Sequence, residues 1–173
     1  IPISSTTTLR AIAYGEQHIA SEVETHTYLF LDDVLAQNQQ PPDGYPESWG
    51  AGVTDWGMDQ SPNDLAKIAG NEDLSLLESQ QIIKESLQSL PTLSLVTSAD
   101  AFFGERDGIY TNTQGRGERW ERPVSVEFFT PDGSEPGFQI NAGVRMQGFT
   151  SRDPNRNPKH SLRLIFRPRY GAS

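Results

Sequence analysis

Phe138-Gln-Ile-Asn-Ala-Gly-Val-Arg-Met-Gln147, Gly148-Phe-Thr-Ser-Arg-Asp-Pro-Asn-Arg-Asn-Pro158 and Lys159-His-Ser-Leu-Arg-Leu-Ile-Phe-Arg167 decide the fold of this chain. Side chains of a strand alternate between its faces, so Val144 and Met146 share one face, and Arg145 and Gln147 share the other. In the last run Leu162, Leu164 and Phe166 lie on one face, while Lys159, Arg163 and Arg167 lie on the opposite one. The spacing predicts two amphipathic strands, joined by a loop rich in Gly, Ser, Arg and Asn. A row of cations beside a connection full of backbone N–H donors is a place for an anion, and Arg145, Arg152, Lys159 and Arg163 are its expected contacts.

Working outward, the period of two recurs over residues 92–97 and 124–130, and Pro131-Asp-Gly-Ser-Glu-Pro136 reads as the turn before residue 138. An antiparallel meander follows from this. Two helices precede it. Ser61 caps a short one, with Pro62 at the first helical position and Gly70 as its stop. Ser75 and Glu78 form a capping box for the second, which carries Ile83, Leu87 and Leu90 on one stripe, ends at Pro91 and is expected to pack on the sheet. Alternation near the start, over 6–14 and 25–31, reads as a hairpin. The fold class is therefore α+β: mainly antiparallel sheet with one or two helices, preceded by a partial β-sandwich hairpin and a long linker.

That linker, residues 37–57, holds Pro41, Pro42 and Pro46 together with Tyr45, Trp49 and Trp56. Such aromatics either stack on a sugar ring or pin an irregular segment onto a core. Asp43, Asp55 and Asp59 match no regular Ca²⁺ loop. Arg116, Arg119 and Arg122 surround Trp120 and are expected to pair with Glu118 and Glu121.

Charge is distributed unevenly. The net charge of -9 combines residues 1–105, with 16 acids and 3 bases, and residues 106–173, with 7 acids and 11 bases. The acidic part disfavours nucleic acid and anionic membranes, while the arginine-rich part can take a localised phosphate. At 35% hydrophobic residues, with a mean hydropathy of -0.56, the chain has no apolar run long enough to span a membrane. It contains no cysteine, which excludes disulfides, thiol catalysis and thiolate metal sites.

Two familiar motifs fail on inspection. Gly143-x-x-x-x-Gly148-Phe149-Thr150 lacks the lysine of a P-loop and leads into a strand pattern. Asp153-x-Asn155-x-Asn157 starts like an EF-hand, yet Pro158 stands where glycine is required. The histidines (His18, His26, His160) have no metal-ligand spacing, and His160 is expected to be partly buried and hydrogen-bonded.

Gly143-Val-Arg-Met-Gln-Gly-Phe-Thr-Ser-Arg152, Asn157-Pro-Lys-His-Ser-Leu-Arg-Leu-Ile-Phe166 and Arg169-Tyr-Gly-Ala-Ser173 together resemble the spore coat protein H (CotH) kinases. Pro91-Thr-Leu-Ser-Leu-Val96, Gly108-Ile-Tyr110 and Glu118-Arg-Trp-Glu-Arg-Pro-Val-Ser-Val-Glu127 fit the segment that opens that domain. The first residues, Ser4-Ser-Thr-Thr-Thr-Leu-Arg-Ala-Ile-Ala-Tyr14 and Thr27-Tyr-Leu-Phe30, resemble the end of the immunoglobulin-like module at the C-terminus of chitobiases and hexosaminidases. The resemblance implies three parts: 1–35 from that module, 36–89 as linker with short helices, and 90–173 as the N-terminal portion of a kinase domain.

It also implies transfer of phosphate from ATP, with Mg²⁺ or Mn²⁺, to a protein or a cell-surface component outside a bacterial cell. In the family the catalytic and metal-binding acids lie beyond the motif that here ends at Ser173, so this stretch by itself is expected to be inactive. The alternative is a non-catalytic extracellular module that binds carbohydrate or protein through Tyr45, Trp49 and Trp56.

Overall fold

A computed structural model describes residues 1–48, 56–58, 60–70, 74–131, 133, 135–157 and 159–171. It is α+β, with two antiparallel sheets and, among the described residues, four helices, most of them short. The strands β1 (Thr7–Ala11) and β2 (Glu24–Tyr28) form a hairpin with Thr7 opposite Tyr28 and Ala11 opposite Glu24. The four-stranded sheet runs in chain order: β3 (Thr92–Val96), β4 (Arg122–Phe129), β5 (Phe138–Met146) and β6 (Leu162–Ile165). Every neighbouring pair is antiparallel. Gly133, at φ 64°, takes the left-handed conformation in the β4–β5 turn, and its N–H bonds to the Thr130 carbonyl at 3.2 Å.

The pleat divides this sheet into an apolar and a polar face. Val124, Val126, Ala142, Val144 and Met146 are buried on the first, with Ile109 beneath them, and Leu95, Ile140, Leu162 and Leu164 pack around that cluster. Burying such side chains contributes about 1.5–3 kcal/mol each, which makes this cluster the main apolar stabilisation of the sheet. Ser94, Ser125, Glu127 and Asn141 face the other way and meet β2. The Thr25 hydroxyl donates to Ser125 Oγ at 2.9 Å, Ser125 donates to Asn141 Oδ1 at 2.9 Å, and the Thr27 N–H donates to Glu127 Oε2 at 2.6 Å. The hairpin is thus held to the sheet by hydrogen bonds.

The helices are α1 (Leu31–Leu35), α2 (Pro62–Ala69), α3 (Leu76–Ser89) and α4 (Ala99–Phe103). Pro62 starts α2, and Gly70 ends it at φ 67°. Ser75 and Glu78 close the expected capping box of α3. Three expectations need correction. Residues 29–31 do not continue β2: the chain turns at Phe30 into α1, whose first turn holds Asp32 and Asp33 at the positive end of the helix dipole. Helix α3 lies beside α1, through Lys84 paired with Asp32, and beside α2, with Gln80 bonded to Gln60 just before that helix; among the described residues it supplies none of the core beneath the sheet. Phe166 follows the last residue of β6 and is 55% exposed, although Leu162 and Leu164 do pack on the core. The register is as expected; the strand stops one residue short of Phe166.

Candidate anion-binding site

Beyond β5 the chain reverses at Gly148, whose φ of 105° a side chain adopts only under strain and whose added Cβ would lie 2.0 Å from Ser151 Oγ. The 3₁₀ turn Thr150–Arg152 then returns Arg152 beneath the end of the strand. Arg152 is 5% exposed, and its guanidinium donates to four carbonyls: Gly148 at 2.7 Å, Thr113 at 2.9 Å, Gly115 at 2.7 Å and Met146 at 2.7 Å. One side chain therefore ties the 148–152 loop to the 113–115 segment and to β5. The charge itself is not neutralised, because all four acceptors are neutral. Burial, and then the nearby charges of Arg116, Arg145 and Arg163, lower the pKa of Arg152 below the ordinary arginine value; an arginine remains protonated all the same.

Those same three arginines join Arg152 around a cavity of about 240 Å³, with Gly117, Gln147 and Gly148 in its wall. Arg145 and Arg163 arrive from facing positions on β5 and β6. Arg116 comes from the loop before β4 and sits over the ring of Phe149, 5.7 Å from its centroid. Arg163 is exposed and, among the described residues, has no ion-pair partner. No carboxylate lies among the described residues of the lining. A concavity walled by guanidinium groups can hold an anion through paired, charge-assisted N–H···O bonds.

Three of the four expected contacts, Arg145, Arg152 and Arg163, share this cavity, and Lys159, exposed, is not in its lining. Arg116 was not among the expected contacts. Its flanking glycines, Gly115 and Gly117, were the available signal, since Gly115 lets the Trp120 ring approach to 2.2 Å from where a Cβ would sit. His160 is buried, and its Nδ1 donates to the Ser151 carbonyl at 2.9 Å. Among the described residues no group of three or more His, Cys, Asp or Glu is placed to hold a metal ion.

The neighbouring acids find unexpected partners. Among the described residues Glu118 and Glu121 pair with Arg167 and Arg169, further along the chain, and not with the arginines around Trp120. Glu121 Oε2 is 2.6 Å from Arg169 Nη2 and 3.2 Å from the Tyr170 hydroxyl; Oε1 is 3.1 Å from Arg167 Nη2 and 3.5 Å from Arg145 Nη1. Burial pushes the Glu121 carboxyl up, but the Tyr170 hydrogen bond and the Arg167 and Arg169 charges outweigh it, and the pKa falls below the usual value. Tyr170 reaches this position because Gly143 has no side chain; a Cβ there would meet the ring at 2.5 Å. Arg122 instead donates to the Asp107 carbonyl at 2.9 Å and lies over Trp120.

Of the linker aromatics, Tyr45 and Trp56 pin rather than present. Tyr45 and Trp56 pack on each other and on Phe103 of α4, with centroids 5.4–5.8 Å apart. Trp49, Asp55 and Asp59 lie outside the described residues. Among the described residues no helix is long and apolar enough to cross a membrane. Compared with protein-family models, curated protein sequences and solved structures, the chain finds no match in any of the three.

Proposed function

We propose that this chain supplies part of the ATP-phosphate-binding lobe of a CotH-like protein kinase of the bacterial cell surface or exterior. One observation carries the reading: four guanidinium groups converge on a single small cavity with no carboxylate in its described lining. Like charges gathered this closely repel one another, and a phosphate group relieves that repulsion. Arg163 and Arg116 are the exposed donors, Arg145 is shared with Glu121, and Arg152 is a fixed background charge committed to backbone carbonyls.

The rest of the reading follows from the sequence resemblance: Mg²⁺ or Mn²⁺ with the nucleotide, and a protein or surface component as phosphate acceptor. Phosphoryl transfer depends on positioning and charge neutralisation, to which such a cavity contributes the second. With its net charge of -9 the chain is a poor partner for extended nucleic acid but not for one localised phosphate. The competing reading is a carbohydrate-binding module using Tyr45, Trp49 and Trp56. Tyr45 is 41% exposed, yet it meets Trp56 and Phe103 edge-on, which leaves less of its face for a sugar ring. Titration with ATP analogues and with an oligosaccharide panel separates the two. Saturable ATP-analogue binding that Arg163→Ala weakens is expected; oligosaccharide binding alone would overturn the kinase reading.

A further inference from the structure

We infer that the arginine cavity binds a free diphosphate group in preference to its Mg²⁺ complex. This rests on the reading of the cavity as a phosphate site and names the form of phosphate it takes. Size is the first argument. At about 240 Å³ the cavity is smaller than the roughly 300–1,000 Å³ of pockets that enclose drug-sized ligands, so it accommodates phosphate groups and leaves a nucleoside outside.

Charge is the second. Arg116, Arg145, Arg152 and Arg163 bring four positive charges, and the one carboxylate in reach, Glu121 at 3.5 Å from Arg145, is already held by Arg167 and Arg169. A pyrophosphate at neutral pH carries several negative charges and matches the surplus better than a single phosphate does. Its planar O–P–O edges suit the guanidinium fork.

Coordination chemistry is the third. Mg²⁺ gives up water reluctantly and is held through carboxylates plus substrate phosphates. Here the described lining offers four guanidinium groups and no carboxylate. A bound Mg²⁺ would cancel two charges of the ligand and bring a hydrated cation against four others.

Isothermal titration of the 173-residue chain with pyrophosphate, first in chelator and then in excess Mg²⁺, tests this. Binding in chelator is expected, with Kd rising about tenfold in Mg²⁺; in chelator, Arg163→Ala, which removes one charge-assisted contact, should raise Kd about tenfold as well. Arg163 is exposed and makes no ion pair among the described residues, so circular dichroism should show that variant folded. ADP in chelator should bind about as tightly as pyrophosphate; ADP binding without pyrophosphate binding would overturn the inference by placing the affinity on the nucleoside. Binding that requires Mg²⁺ would overturn the preference for free diphosphate and leave the phosphate-site reading standing. Binding of neither pyrophosphate nor ADP in either condition would overturn both.

Discussion

Arg145 and Arg163 stand directly opposite each other across the β5–β6 ladder, cation facing cation. Like charges in this position destabilise an antiparallel pair, and the effect of such pairs is about 0.2–1 kcal/mol. Arg163→Gln removes the repulsion, so urea unfolding in phosphate-free buffer should show the variant more stable than the parent by that amount. Adding phosphate should reverse the order, because only the parent keeps the full site and gains by ligand linkage. A variant less stable in both buffers would mean that Arg163 supports the fold.

Arg152 has the opposite character. Arg152→Ala leaves the carbonyls of Gly148, Thr113, Gly115 and Met146 without their donors in a buried setting. Buried unsatisfied groups cost about 1–3 kcal/mol each, so a loss of at least about 3 kcal/mol is expected in chemical denaturation. Arg152→Lys keeps the charge but not the fork, and should recover less than half of that loss. Limited proteolysis should cut first within 148–157 in both variants.

Glu121 sets an acid limit on stability. Its folded pKa lies below the ordinary carboxylate value of 4.5, so the folded state binds this proton more weakly than the unfolded one. The stabilisation is complete above the unfolded pKa and is lost as pH falls below it and through the folded pKa. Glu121→Gln should flatten this part of the stability profile, measured by thermal melts from neutral pH downward. An unchanged acid limb would assign the acid sensitivity to another carboxylate.

Phe166 and Met146 separate burial from hydrophobicity. Met146 is buried in the core, and Met146→Ala should cost about 2–5 kcal/mol. Phe166 is more than half exposed and lies past the end of β6, so Phe166→Ala should cost under about 1 kcal/mol despite removing a larger side chain. Equal losses on urea unfolding would place the Phe166 ring in the core after all.

What was legible follows the range of the interactions. Strands β3 to β6 were readable because a period of two is written in neighbouring residues, and the capping box of α3 because Ser75 and Glu78 are three positions apart. Helix α1 was not, because Leu29, Phe30 and Leu31 extend an apolar strand pattern with no Gly or Pro to break it; Asp32-Asp33 was the overlooked cue. The partners of Glu118 and Glu121 were out of reach, since Arg169 lies 51 and 48 residues further along and only the folded sheet brings them together. Arg152 stands in the cationic loop of the sequence, but its burial against four carbonyls depends on Thr113 and Gly115, which no local pattern connects to it.

The hairpin offers the last test, because its attachment to the sheet is polar. Thr25 is fully buried and donates to Ser125, which passes the bond on to Asn141; Thr27 Oγ1 lies 2.7 Å from Ser94 Oγ. Thr25→Val keeps the shape but leaves Ser125 Oγ without its donor, and Ser125→Ala strands both the Thr25 hydroxyl and Asn141 Oδ1. Each single change should cost about 1–3 kcal/mol, since a buried polar group loses its partner. The double variant removes both partners of the Thr25–Ser125 bond, so its loss should fall short of the sum of the singles by about 0.5 kcal/mol or more. Strict additivity on urea unfolding would mean that Thr25 and Ser125 do not meet in solution. The hairpin would then swing free of the sheet, and hydrogen exchange over residues 24–28 would be fast in the parent protein.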